Sequence, residues 1–160
     1  MNHRKTLQLG LALLIASTGT AFAAPNAFVT KALTGAATQI LQVQQGGSKF
    51  QQPDMQTYMG VMVKDNTIIN EQLTDVAKKL DIDLPVAPTK ATPAPAVAGK
   101  TPEASFALNQ VKVTEELAAL YEAEVNSNDA PELKAFALAQ LKDVQRHGKM
   151  AQRLSKTYKK

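Results

Sequence analysis

The sequence contains no cysteine and no tryptophan, and aromatic residues make up only 5% of it. Without cysteine there are no disulfides, no thiolate metal sites and no thiol nucleophile. Without tryptophan, and with so few other rings, the stacking platforms of single-stranded nucleic acid binders are lacking. No nucleic-acid reading motif is present, so no nucleic acid partner is expected. Neither sign of charge dominates, since 18 Lys and Arg face 14 Asp and Glu. Long apolar runs are equally scarce. The single candidate, Leu7 to Ala16, is interrupted by Gln8 and Gly10 and falls short of the roughly 20 residues that span a bilayer.

That run has the layout of an export signal. Arg4 and Lys5 precede it, and Ala21-Phe22-Ala23 follows, with small residues at the two positions a signal peptidase reads. Residues 1–23 are therefore expected to be a cleavable signal peptide, with the cut before Ala24 and a periplasmic or secreted bacterial destination. Taking Arg4 and Lys5 from the 18 basic residues leaves 16 against 14 acids. The expected mature chain, 24–160, is nearly balanced and keeps no membrane-spanning segment.

Apolar spacing at steps of three and four predicts four amphipathic helices in this mature chain, at about 27–45, 53–82, 102–126 and 130–158. The second carries Met55, Met59, Met62, Ile69, Leu73, Val76 and Leu80, a stripe broken at one register position by the polar Asn66. Pro53 suits its first turn, and Asp129-Ala130-Pro131-Glu132 supplies a cap, a proline and an early acid for the fourth. Between the second and third helices, about 84–101, Pro85, Pro88, Pro93 and Pro95 forbid a helix and predict an extended linker. At about 3.1 Å per residue that linker reaches roughly 50 Å, against about 42 Å for a helix of some 28 residues. It is long enough for a full-length crossover between parallel second and third helices, the connection found in ferritin-like bundles. A slack loop in an up-down bundle is the alternative. The expected fold class is all-α, a ferritin-like four-helix bundle with a Pro-rich connection between helices two and three.

Four segments then carry a resemblance: Ala27-Phe28-Val29, Met62-Val63-Lys64-Asp65-Asn66, Asp81-Ile82-Asp83-Leu84-Pro85 and Glu132-Leu133-Lys134-Ala135-Phe136-Ala137. In combination they resemble a bacterial family of exported ferritin-like domains, domain-of-unknown-function family 4142. The resemblance covers nearly the whole mature chain apart from the linker. It implies the fold and the cellular address rather than an activity. The family's usual pattern of an acid, an Asp-His pair and two further histidines falls on Gln39, Asp65-Asn66, Thr114 and His147 of this sequence. Only the last histidine is kept, which makes this a divergent member and leaves a family-wide metal or redox role without its ligands.

Chemistry taken from the residues alone points the same way. A ferritin-like di-iron centre needs Glu from two helices and a Glu-x-x-His pair from each of the others. Here Val144 stands three before His147, the mature chain's single histidine. Zinc lacks enough of its preferred ligands. Met55, Met59 and Met62 share a face, and thioethers can hold Cu(I), but methionines spaced along an apolar face usually fill a core. No cofactor and no catalytic residue is expected. Gln39, Asn66, Thr114 and His147 are expected to form a polar layer inside the bundle, with Asp143 one turn back as a possible ion-pair partner for His147. Arg146, Lys149, Arg153, Lys156 and Lys160 form a basic face on the last helix, fit for an anionic envelope component. The leading expectation is a non-enzymatic envelope protein with an interaction or stress-related role. The alternatives are a metal-dependent oxidoreductase or metal-binding protein, and a peripheral binder of anionic surfaces.

Overall fold

In the computed structural model the chain is described over residues 26–47, 49–90, 93 and 95–159; the expected signal peptide and Lys160 lie outside these. The helices are α1 (Ala27–Gly47), α2 (Pro53–Lys79), α3 (Pro102–Val125) and α4 (Pro131–Thr157). Each of the last three has proline in its first turn, where the ring presets φ and the missing N–H leaves no helical bond unmade. Side chains close two further starts. Asn26 Oδ1 accepts the Val29 N–H at 3.0 Å, and Thr101 Oγ1 accepts the Ala104 N–H at 3.2 Å.

Two ends differ from the sequence expectation. α4 is preceded by Ala130, without a side-chain cap. The Asp129 carboxylate instead accepts Asn26 Nδ2 at 2.7 Å, which pins the α3–α4 turn to the start of α1. α2 stops at Lys79 because Asp81 takes φ 55°. The Ile82 N–H then reaches Ala77 O at 2.9 Å and the Asp81 N–H reaches Lys78 O at 3.3 Å. This is a Schellman closure, in an αL conformation that Asp tolerates better than most residues.

α1 packs on α2 and α3, and α4 packs on α2 and α3, so α2 and α3 are diagonal. Cross-helix bonds give the directions. Tyr158 OH donates to Asp54 at 2.5 Å and Gln140 Nε2 to Gln72 at 2.9 Å, making α2 and α4 antiparallel. Tyr58 near the start of α2 bonds Gln110 near the start of α3, so those two helices are parallel. Their connection must therefore run the length of the bundle. It does so outside α1: Leu84, Pro85 and Ala87 lie by Leu33, Ala37 and Thr74, and Pro93, Ala96 and Lys100 lie by the end of α1 and the start of α3. The expected all-α bundle with a Pro-rich crossover is the observed one.

The apolar interior falls into two clusters. One gathers Phe28, Val29, Leu33, Ile69, Leu73, Tyr121, Leu133, Phe136 and Val144. The other gathers Val43, Phe50, Met55, Tyr58, Met59, Met62, Phe106 and Leu154. Each fully buried Leu or Met contributes about 1.5 to 3 kcal/mol relative to exposure, so these clusters hold the bundle closed. Between them lies a band of polar side chains.

Candidate functional site

The 3.6-residue period that buries Val43 and Ala36 on α1 also buries Gln39, one turn from each. Asn66 occupies the equivalent step on α2 between Met62 and Ile69, and Gln110 and Thr114 do so on α3. His147 does so on α4, between Val144 and Ala151. All five are at most 3% exposed. A buried amide costs free energy unless its donors and acceptors are paired, and here the pairing runs from helix to helix. Asn66 Nδ2 donates to Gln39 Oε1 at 2.9 Å. Gln39 Nε2 donates to Gln110 Oε1 at 3.1 Å, and that oxygen also accepts Tyr58 OH at 3.1 Å. Gln110 Nε2 donates to Gln42 at 3.4 Å. Burial pushes the Tyr58 phenol up, so it remains a hydrogen-bond donor throughout the accessible pH range.

Thr114 and His147 do not join this chain. Thr114 Oγ1 donates back to Gln110 O and approaches Val111 O, at 2.8 and 3.0 Å, within its own helix. Its outer side faces Gly148 of α4, where a Cβ would lie 3.6 Å from Oγ1. His147 Nε2 lies 2.9 Å from Asp65 Oδ2 on α2. That carboxylate, and not Asp143, is its partner. Asp143 pairs instead with Arg146 at 3.1 Å. Arg146 also reaches Asp65 Oδ2, at 2.6 Å, so one carboxylate oxygen serves both α4 side chains.

Burial lowers the His147 pKa, with Asp65 opposing the shift. The ring is neutral at pH 7, and Nε2 carries its proton because a carboxylate only accepts. Burial also works upward on the Asp65 carboxyl, but the hydrogen bonds from His147 and Arg146 outweigh it and hold it below its ordinary value. Asp65 therefore stays charged, with its charge balanced by Arg146. A metal centre does not fit this arrangement. The layer supplies one imidazole and one carboxylate, the carboxylate oxygen that faces the imidazole is already shared with an arginine, and the remaining positions are amides and a hydroxyl. Among the described residues no three of His, Cys, Asp and Glu gather closely enough to hold an ion.

Of the other expected site residues, Met55, Met59 and Met62 are packed in the second apolar cluster. Lys149, Arg153 and Lys156 are exposed along α4 and make no ion pair among the described residues. Arg146 departs from that face by bonding Asp65 and Asp143. Gln110 escaped the sequence reading because a glutamine beside Asn109 and Lys112 resembles a solvated face; its step of four before Thr114 was the available signal. Glu124 escaped it for the same reason. It is buried at 4% exposure and its Oε1 has no hydrogen-bond partner among the described residues. Burial, reinforced by the nearby Asp129, pushes its pKa up to about 7.

Among the described residues, no helix is long and apolar enough to cross a membrane. No curated protein matches the sequence. Among solved structures the bundle resembles a conserved hypothetical protein of Mycobacterium tuberculosis, with a TM-score of 0.68 at 16% identity, over 81% of this chain and 89% of that one. At that identity the likeness speaks for the fold. The profile described as domain of unknown function DUF4142 matches residues 13–154, which is most of the sequence, and the chain belongs to that family.

Proposed function

We propose that this chain is a non-enzymatic protein of the bacterial cell envelope, exported by its first residues, whose ferritin-like bundle acts by interaction, in a stress-related setting, rather than by catalysis. The observation that carries this reading is the self-contained polar layer. Gln39, Asn66, Gln110 and Tyr58 are bonded to one another and, through the Gln110 amide, to Gln42, and His147 is bound to an aspartate that Arg146 already neutralises. Neutral amides at positions where the family resemblance implies ligands keep the helix register without offering an ion enough charge. A buried asparagine in a helical interface has that registering effect, at a cost in stability. The competing reading, a metal-dependent oxidoreductase, is tested by metal analysis of protein purified without a histidine tag. Substoichiometric iron, manganese and copper are expected, and one equivalent of any of them would overturn the proposal.

A second reading has its own support. Lys149, Arg153 and Lys156 are exposed at steps of three and four on the last helix, suited to the surface of an anionic envelope component. Co-sedimentation with phosphatidylglycerol vesicles should then weaken as salt rises. Binding indifferent to both lipid charge and salt would contradict it.

A further inference from the structure

The crossover does not lie flat on the bundle everywhere. Where it passes the end of α1 and the start of α3 it roofs a cavity of about 240 Å³. The floor is Phe50 and Phe106, whose ring centroids are 5.1 Å apart at 47°. Gly46 borders them, and a Cβ there would touch ring atoms of both at 3.4 Å. The roof is Pro93 and Ala96, side chains too small to fill what they cover. It is tied down by the Val97 N–H donating to the buried Ser105 Oγ at 3.0 Å.

The rim is cationic. Lys49 and Lys100 both line the opening. Lys100 spends one of its three N–H donors on Lys159 O, at 2.7 Å, and keeps the others unbonded among the described residues. Among the described residues no carboxylate lines the cavity. The acids nearest in sequence are engaged elsewhere: Glu103 accepts Gln52 Nε2 at 3.2 Å and Asp54 accepts Tyr158 OH. Lys156 and Lys159 stand at the same end of the bundle. Pockets for small ligands combine apolar walls with a few placed polar groups that fix orientation, and this one selects an apolar body with a single negative head.

We infer that this cavity is a binding site for a small amphipathic carboxylate, its apolar part on Phe50 and Phe106 under the crossover and its carboxylate on Lys49 and Lys100. The inference is independent of the polar layer and of the envelope reading.

The test is titration of the full protein with octanoate, followed by calorimetry and by NMR of the ring and methyl signals of Phe50, Phe106 and Ala96. Octanoate should bind with shifts confined to these residues, and about tenfold more tightly than octanol, roughly the discrimination that a charge-assisted contact supplies. Ala96→Trp, on the exposed roof and outside the bundle core, should abolish binding with the melting temperature unchanged. Lys49→Glu should weaken octanoate and leave octanol alone. Equal affinity for acid and alcohol, binding that survives Ala96→Trp, or no saturable binding at millimolar ligand would overturn the assignment. Phosphatidylglycerol vesicles distinguish a free acid from an acyl chain offered by a membrane. They should not compete with octanoate, and competition that Ala96→Trp removes would overturn the free-acid assignment.

Discussion

The polar layer has two sides built on different chemistry. On the α1 side, neutral groups from three helices close a chain of hydrogen bonds in which Gln110, wholly buried, sits at the branch point. On the α4 side, a carboxylate, a guanidinium and an imidazole meet at the bundle's edge, where Asp65 is 21% and Arg146 46% exposed. Deep in the bundle the chain uses groups that need partners but carry no charge; it admits charge only where water still reaches. Desolvating an ion costs far more than desolvating an amide, and this explains the division.

The two sides should break differently. Gln110→Ala strands the Gln39 amide and the Tyr58 hydroxyl and opens a cavity, and should cost about 4 kcal/mol in urea unfolding. Asp65→Asn keeps the shape and removes a charge that water still reaches, between a half-exposed arginine and a buried histidine, so it should cost less, about 1 to 2 kcal/mol. The comparison would collapse if the charged side proved the more sensitive of the two.

A pH profile sharpens it further. The His147 pKa is lowered by folding from 6.5, so the unfolded chain takes up the proton first as pH falls. Stability supplied by the neutral ring is therefore present above about pH 6.5 and lost as pH falls through the lower, folded value. Glu124 has the opposite sign. Its folded pKa is raised from 4.5 to about 7, so the folded chain holds the extra proton and stability declines as pH rises through that interval. Glu124→Gln should remove the decline and raise stability at pH 7, exposing the acid-side loss due to His147. Chemical denaturation between pH 5 and pH 8, an interval chosen about these two groups, reads both. The smallest expected effect belongs to Gly148→Ala. The new methyl would make ordinary contact with Thr114, and a mid-helix glycine gives up about 0.5 to 1 kcal/mol to alanine. A gain of that size in melting experiments would show that α3 and α4 meet loosely at the layer.

The bundle was legible because its periodicity is clean in α2 and α4, where Met55, Leu73, Leu133 and Leu154 fall on apolar stripes, and because four prolines mark the crossover. The layer was legible only at the positions where a polar residue interrupts such a stripe, as Asn66 and His147 do. Gln110 was hidden because α3 buries so many small or polar residues, among them Ser105, Thr114 and Glu124, that its inner face barely differs from its outer one. The Asp65 partnership was hidden for another reason. The one-dimensional pattern offers His147 the nearby Asp143, four residues back on its own helix, whereas α2 brings Asp65 to it across the bundle.

The most direct test of the central claim, that the layer is closed on itself, is hydrogen exchange of the Gln39 and Asn66 side-chain amides by NMR, with and without one equivalent of iron(II). The closed network predicts exchange as slow as that of the core backbone and no change on adding iron. Exchange at the rate of exposed amides, or loss of these signals together with those of His147 when iron is added, would contradict it.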